Sequence, residues 1–86
     1  MDVNKKQKAT LERIFEKPVR SDINWADIVS LLSGLGATIS EGKGSRVRVV
    51  LNGRKAVFHR PHPERITDRG TVGSVRNFLE NACVNP

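Results

Sequence analysis

Apolar and charged residues alternate most clearly from Arg46 to His59, in two runs that flank Asn52-Gly53. An Asn-Gly pair between β-branched runs predicts a type I′ hairpin turn, because both central residues of that turn need positive φ. The register of such a hairpin pairs Arg46 with His59 and Leu51 with Arg54. Its apolar face contains Val47, Val49, Leu51, Ala56 and Phe58. Its opposite face, called the cationic face below, contains Arg46, Arg48, Lys55 and His59. A one-residue slip would bury these charges, so the pattern opposes slippage.

Helical spacing of apolar residues predicts three helices around this hairpin. The first runs from about residue 5 to 16 and ends before Pro18. The second runs from Trp25 to Leu35, with Gly36 as its left-handed stop. The third runs from about residue 71 to 82, with Thr71 as a possible N-cap. The second helix has an apolar stripe of Trp25, Ile28, Val29, Leu32 and Leu35, and the third has one of Val72, Val75, Phe78, Leu79 and Ala82.

A first strand over residues 37–41 and a flexible turn over residues 42–45 precede the hairpin. The three strands predict an antiparallel sheet whose apolar face is covered by the second and third helices. The predicted fold class is therefore α+β, with the α-β-β-β-α order of double-stranded-RNA-binding domains and an extra N-terminal helix. A chain of 86 residues predicts one domain.

The positive charge of the chain lies in its second half. Residues 1–42 contain six Lys or Arg and six Asp or Glu, whereas residues 43–86 contain nine and three. With a pI of about 10.3, this asymmetry favours a polyanionic partner, above all nucleic acid. A basic surface that only contacts solvent is the alternative.

The sequence predicts no disulfide, no metal or cofactor site and no membrane contact. The single cysteine, Cys83, excludes an internal disulfide framework and is expected to be a small buried apolar residue. His59 and His62 have no Cys or paired carboxylate near them, and there is no P-loop or dinucleotide fingerprint, so neither a metal nor a cofactor is predicted. With no apolar span and no leader, we expect a cytoplasmic protein without membrane contact.

Short motifs recur in a fixed order through the second half of the chain. They are Gly44-Ser45-Arg46, Asn52-Gly53-Arg54, His62-Pro63, and Gly70-Thr71-Val72 followed by Ser74 and Val75. In this order and spacing the chain resembles the HicA family over about residues 22–84. The resemblance implies a toxin of a bacterial type II toxin–antitoxin pair, with a double-stranded-RNA-binding-domain-like fold and ribonuclease activity on mRNA. It also implies a cognate HicB-like antitoxin as partner, and leaves residues 1–20 as an accessory helical segment.

The chain departs from the family pattern at one position. In the family, a histidine that is treated as catalytic follows the Gly-Ser pair, and here that position is Arg46. The hairpin register places His59 across from Arg46 on the cationic face, where the imidazole could act as a general base toward a ribose 2′-hydroxyl. Arg46 or Arg48 could then hold the phosphate. Alternatively, His59 is an exposed strand residue without a special role.

His62 stands between Pro61 and Pro63 and could be an acid, a phosphate contact or a turn element. The candidate catalytic residues are therefore His59, Arg46 and His62. The candidate RNA-binding residues are Lys43, Ser45, Arg46, Arg48, Lys55, Arg60 and Arg65. Two functions remain open: a metal-independent endoribonuclease toxin, and a non-catalytic RNA-binding or protein-interaction module that has lost the family histidine.

Overall fold

A computed structural model describes residues 3–62 and 64–86 of the chain. In order, these residues form α1 (Lys5–Ile14), β1 (Ile23–Asn24), α2 (Trp25–Gly34), β2 (Thr38–Glu41), β3 (Arg46–Leu51), β4 (Arg54–His59), β5 (Ile66–Thr67) and α3 (Arg69–Asn81). Strands β2, β3 and β4 form an antiparallel sheet in that order, and β1 pairs with β5 in a second, two-stranded sheet. The predicted α+β class, with a three-stranded antiparallel sheet packed on helices, is confirmed.

The hairpin of β3 and β4 has the predicted register. Arg46 pairs with His59 and Leu51 with Arg54, and the turn between them has φ of 51° at Asn52 and 77° at Gly53. The side-chain amide of Asn52 also donates a hydrogen bond of 2.8 Å to the backbone carbonyl of Ala82. The turn therefore sets the strand register and anchors the hairpin to the end of α3.

The apolar face of the hairpin lies under α2 and α3, as predicted. Its residues are buried except for Ala56, which is half-buried, and every predicted apolar residue of α3 is buried as well. The ring of Phe58 lies edge-on to Trp25 of α2 and to Phe78 of α3, with centroid distances of 6.4 Å and 5.8 Å. Such edge-to-face contacts are favourable beyond the area that they bury. Strand β4 therefore joins both helices in one core.

Both core helices begin at side-chain caps. Asn24 caps α2 by accepting a hydrogen bond of 3.0 Å from the backbone N–H of Ala26, and Gly36 follows the helix with φ of 90°, as predicted. The prediction of Thr71 as the cap of α3 is wrong: the cap is Asp68, which accepts from the backbone N–H of Thr71. The helix therefore begins two residues earlier, at Arg69.

The β1–β5 sheet was not predicted, because two-residue strands are too short to show alternation. It pairs Ile23 with Thr67 and Asn24 with Ile66, and both Ile23 and Thr67 are fully buried. Leu31 is also fully buried, although the predicted stripe of α2 omitted it. The small sheet holds the segment before α2 against the segment before α3.

The prediction of a buried Cys83 is wrong. Cys83 is exposed and has φ of 63°, whereas Ala82 before it is buried. Cys83 takes the left-handed backbone that ends α3, while Val84 after it packs against the core and donates its backbone N–H to the carbonyl of Leu79 at 2.8 Å. None of the helices in the described part of the chain is long and apolar enough to span a membrane.

Helix α1 packs on α2 and α3 and contributes Leu11 and Ile14 to the core. Gln7 joins α1 to α2, since its side-chain amide donates to the backbone carbonyl of Ser30 at 2.8 Å and to its hydroxyl at 3.1 Å. The absence of a side chain at Gly34 leaves room for this contact, because a Cβ there would lie 2.6 Å from Oε1 of Gln7. The division of the chain into an accessory helical segment, residues 1–20, and a core that resembles the family, residues 22–84, stays a prediction.

We expect Gly34→Ala to lower the free energy of unfolding in the wild-type chain, because the added methyl group displaces the hydrogen-bonded Gln7 side chain. In a Gln7→Ala background the same change should raise it by up to about 1 kcal/mol, through the higher helix propensity of alanine. Urea unfolding of the four proteins measures this coupling. Gly73→Ala is the control, since no atom lies within 4 Å of its added Cβ. If Gly34→Ala changes the free energy of unfolding equally in the wild-type and Gln7→Ala proteins, the contact between residue 34 and Gln7 is contradicted.

Candidate nucleic-acid interface

The cationic face of the hairpin is exposed to solvent along both strands. Arg46 lies opposite His59 at the end of the sheet near residues 42–45, and Arg48 lies opposite Val57 in the next outward-facing row. Val50 lies opposite Lys55 near the Asn-Gly turn. The face therefore combines an Arg–His pair at one end with a mixture of cations and apolar groups at the other.

Two valines on this face are unusually exposed for apolar residues in strands. Val50 is 37% exposed and Val57 is 54% exposed. They are diagonal neighbours across β3 and β4 and line an open cavity of about 520 Å³ together with Arg48 and Lys55. This part of the face therefore presents apolar and cationic groups side by side.

His59 lies at the C-terminal end of β4 and lines a cavity of about 330 Å³ with the first turns of α3. Asp68, Thr71 and Ser74 contribute polar side chains to this cavity. The Thr71 hydroxyl donates a hydrogen bond of 2.7 Å to Asp68 and, as the main cause, lowers the pKa of that carboxyl. An ionised carboxylate is therefore available in the cavity that contains His59. Gly70, Thr71 and Ser74 belong to the motifs that carried the family resemblance.

The remaining candidate residues near the start of β3 have different settings. Lys43 is exposed, whereas Ser45 is half-buried and accepts a hydrogen bond of 2.7 Å at its backbone carbonyl from the N–H of Arg60. The guanidinium of Arg60 pairs with Glu41 at 3.2 Å. Arg60 therefore combines a structural contact with its charge, while Lys43 is presented directly to solvent.

His62 and Arg65 lie in a different cavity from His59. This second cavity, of about 460 Å³, lies between residues 24–26, where β1 meets α2, and residues 60–62 and 64–65. The structure thus brings together Arg46 and His59 as a cross-strand pair, but gives His62 other neighbours. The predicted extended backbone around His62 depends partly on Pro63, which lies outside the described residues.

Sequence reasoning did not include Asp68 or the residues of α2 among the site residues. Asp68 has a recognisable signal, because an Asp two residues before Gly70-Thr71 fits an N-cap position. The contribution of Asn24 and Trp25 to a cavity depends on tertiary packing and has no local signal. Within residues 3–62 and 64–86, no group of three or more His, Cys, Asp or Glu side chains is close enough to hold a metal ion.

Comparison with known proteins gives one match. A family model described as HicA toxin of bacterial toxin-antitoxin matches residues 25–82. Searches of curated proteins and of solved structures return no match to the chain. The matched residues cover more than half of the chain and contain α2, the whole three-stranded sheet and α3. The resemblance carried by the short motifs is therefore confirmed, and the protein belongs to the HicA family of bacterial toxin–antitoxin toxins.

Proposed function

We propose that the protein is an endoribonuclease that cleaves mRNA, with His59 as the general base. The observation that carries the proposal is the direct pairing of His59 with Arg46 on the exposed cationic face. This pair provides an imidazole and a guanidinium at the surface that RNA would approach. Arg46 occupies the position of the family histidine, so the proposed base lies on the adjacent strand, across from the family position.

The proposed reaction takes its nucleophile from the substrate. His59 accepts the proton of a ribose 2′-hydroxyl, whose oxygen attacks the adjacent phosphorus. The bond from phosphorus to the 5′-oxygen breaks and this oxygen takes a proton from water, which leaves a 2′,3′-cyclic phosphate on one product and a 5′-hydroxyl on the other. Arg46 stabilises the charge that develops on the phosphate. Because the attacking oxygen belongs to the RNA, we expect cleavage to proceed in EDTA.

The antitoxin partner is proposed to cover the same face. Val50 and Val57 offer apolar contacts, and Arg48 and Lys55 beside them offer charge to opposing carboxylates. A HicB-like antitoxin bound there would exclude RNA from the Arg46–His59 pair. Inhibition would then be competitive with RNA.

A non-catalytic RNA-binding or protein-interaction module is the second candidate function. Arg46 favours it, because the family histidine has been replaced by a side chain that binds phosphate but does not exchange protons near neutral pH. In this case the cationic face would bind RNA or a partner without cleaving RNA. The experiments below distinguish the two functions.

His59→Ala should abolish cleavage of a labelled RNA in EDTA while leaving RNA binding nearly unchanged. A general base typically contributes about 10²- to 10⁴-fold to rate and little to ground-state affinity. Arg46→Ala should weaken both cleavage and binding, and Arg46→His should keep or raise activity. Lys8→Ala on α1 is a control for the loss of one charge. Full activity of His59→Ala would exclude this base and leave His62 as the remaining histidine; a wild-type protein that binds but does not cleave would support the second function.

RNA affinity should fall steeply with salt concentration, because the candidate contacts are cations on an exposed surface. Replacing Arg48 or Lys55 by Ala should reduce the slope of log affinity against log salt by about 0.7–0.9 each. Fluorescence anisotropy of a labelled RNA at several salt concentrations measures the slopes. If binding does not depend on salt, the cationic face is not the RNA surface.

Val57→Thr should weaken the complex with the cognate antitoxin but leave RNA cleavage unchanged, since it removes an apolar contact and keeps the charge and the β-branched shape. Ile66→Thr is the matched control, because Ile66 is a 41% exposed β-branched residue of β5, outside the cationic face. Calorimetric titration measures the affinity of each variant for the antitoxin. Hydrogen exchange should show protection of β3 and β4 in the complex. Protection confined to α1 would overturn the proposed antitoxin surface.

A further inference from the structure

We infer that the second cavity, between residues 24–26 and residues 60–62 and 64–65, binds one unstacked nucleotide of a single-stranded RNA. The inference rests on the proposed function, because it takes RNA as the ligand. It adds a binding site beside the Arg46–His59 pair and specifies the form of the substrate. The cavity has a volume of about 460 Å³, within the range of about 300–1,000 Å³ typical of small-molecule sites.

The two walls of the second cavity are joined to each other and to the sheet. The backbone N–H of Trp25 donates to the carbonyl of Arg65 at 2.8 Å and so joins the walls next to the paired strands β1 and β5. Arg60 is held to β2 and to the residue before β3 by its ion pair with Glu41 and by its N–H bond to Ser45. The residues that line the cavity are therefore tied at both ends to the rest of the fold. A preformed site of this kind loses less entropy when a ligand binds.

The lining of the second cavity suits a nucleobase with its phosphate. Trp25, Ala26 and Pro61 provide apolar walls. His62, Arg60 and Arg65 add an imidazole and two guanidinium groups, and Glu64 is the one acidic residue among the lining residues. Planar imidazole and guanidinium groups stack on bases, and guanidinium groups also pair with phosphates. The carboxylates of an acidic peptide would pair with the cations but offer no aromatic face on which the imidazole and guanidinium groups could stack.

The location of the second cavity relates it to the proposed chemistry. His59 is the last residue of β4, and Arg60, which follows it directly, lines the cavity. Because successive side chains of an extended segment point to opposite sides, an RNA strand that passes around the end of β4 would contact His59 and the cavity in turn. A base can enter such a cavity only when it is unpaired and splayed out of a helix. The inferred substrate is thus single-stranded, in contrast to the duplex that domains of this fold read by shape.

Trp25 gives a direct measurement, because it is the only tryptophan, the chain has no tyrosine, and it lines the cavity. The probe is a five-nucleotide RNA with 2′-O-methyl groups, which lacks the nucleophile and cannot be cleaved. Titration of the full chain with this single strand should change the fluorescence of Trp25 in a saturable way. The same five nucleotides paired within the stem of a longer 2′-O-methyl hairpin should produce no such change.

Single substitutions distinguish RNA binding in the second cavity from attraction to the overall positive charge of the protein. His62→Ala should weaken binding of the single strand by about 5-fold to 150-fold, the range found for loss of one base-stacking group. Arg65→Ala should weaken binding and reduce the salt slope by about 0.7, the value for one contact to single-stranded RNA. Lys8→Ala removes the same unit of charge from α1 and should leave the affinity and the fluorescence change intact.

Failure of this inference can be told from failure of the proposed function. Binding of the single strand without a change in Trp25 fluorescence, or with equal losses in Arg65→Ala and Lys8→Ala, would overturn the cavity and leave the RNA surface on the cationic face. Equal fluorescence changes with duplex or with a hexaglutamate peptide would overturn the single-stranded nucleotide as ligand. If neither RNA form binds, the proposed function fails and the inference with it. Because the probe cannot be cleaved, a loss of catalysis in His59→Ala does not affect the result.

Discussion

The left-handed backbone of Asn52 and Gly53 is the constraint on which the rest of the structure depends. Both residues have positive φ, and this conformation closes the turn of the hairpin in one register. That register places five apolar side chains under the helices and the cations in solvent. Since Asn52 also donates to Ala82, the same turn fixes where α3 ends relative to the sheet. Core, charge distribution and helix position thus share one local origin.

Three adjacent residues at the end of β4 have three different roles. Phe58 points into the core between two aromatic rings, and His59 is exposed opposite Arg46. Arg60 contacts Glu41 and lines the second cavity. Alternation along the chain is sufficient to produce this division, because successive side chains of an extended segment point to opposite sides. A displacement of β4 would therefore change packing, the Arg–His pair and the cavity together.

The sequence predicted the parts of the structure that local physics determines. Asn52-Gly53 and the flanking alternation predicted the Arg46–His59 pair, and helical periodicity predicted the buried face of α3. The β1–β5 sheet, the partner of Arg60 and the separation of His62 from His59 were not predicted, because they depend on segments distant in sequence. Cys83 was wrongly predicted for a different, local reason: it takes the left-handed backbone after a helix, a position that glycine usually marks in the sequence.

Helix α1 lies outside residues 25–82, which match the family, yet Ile14 is fully buried in the common core and Gln7 is bonded to α2. A polypeptide trimmed to the matched residues would leave the apolar surfaces of α2 and α3 that α1 covers in contact with water. It would also lose Ile23 and Asn24, and with them the strand pairing that holds one wall of the second cavity. The packed core of this protein therefore extends beyond the region of family similarity.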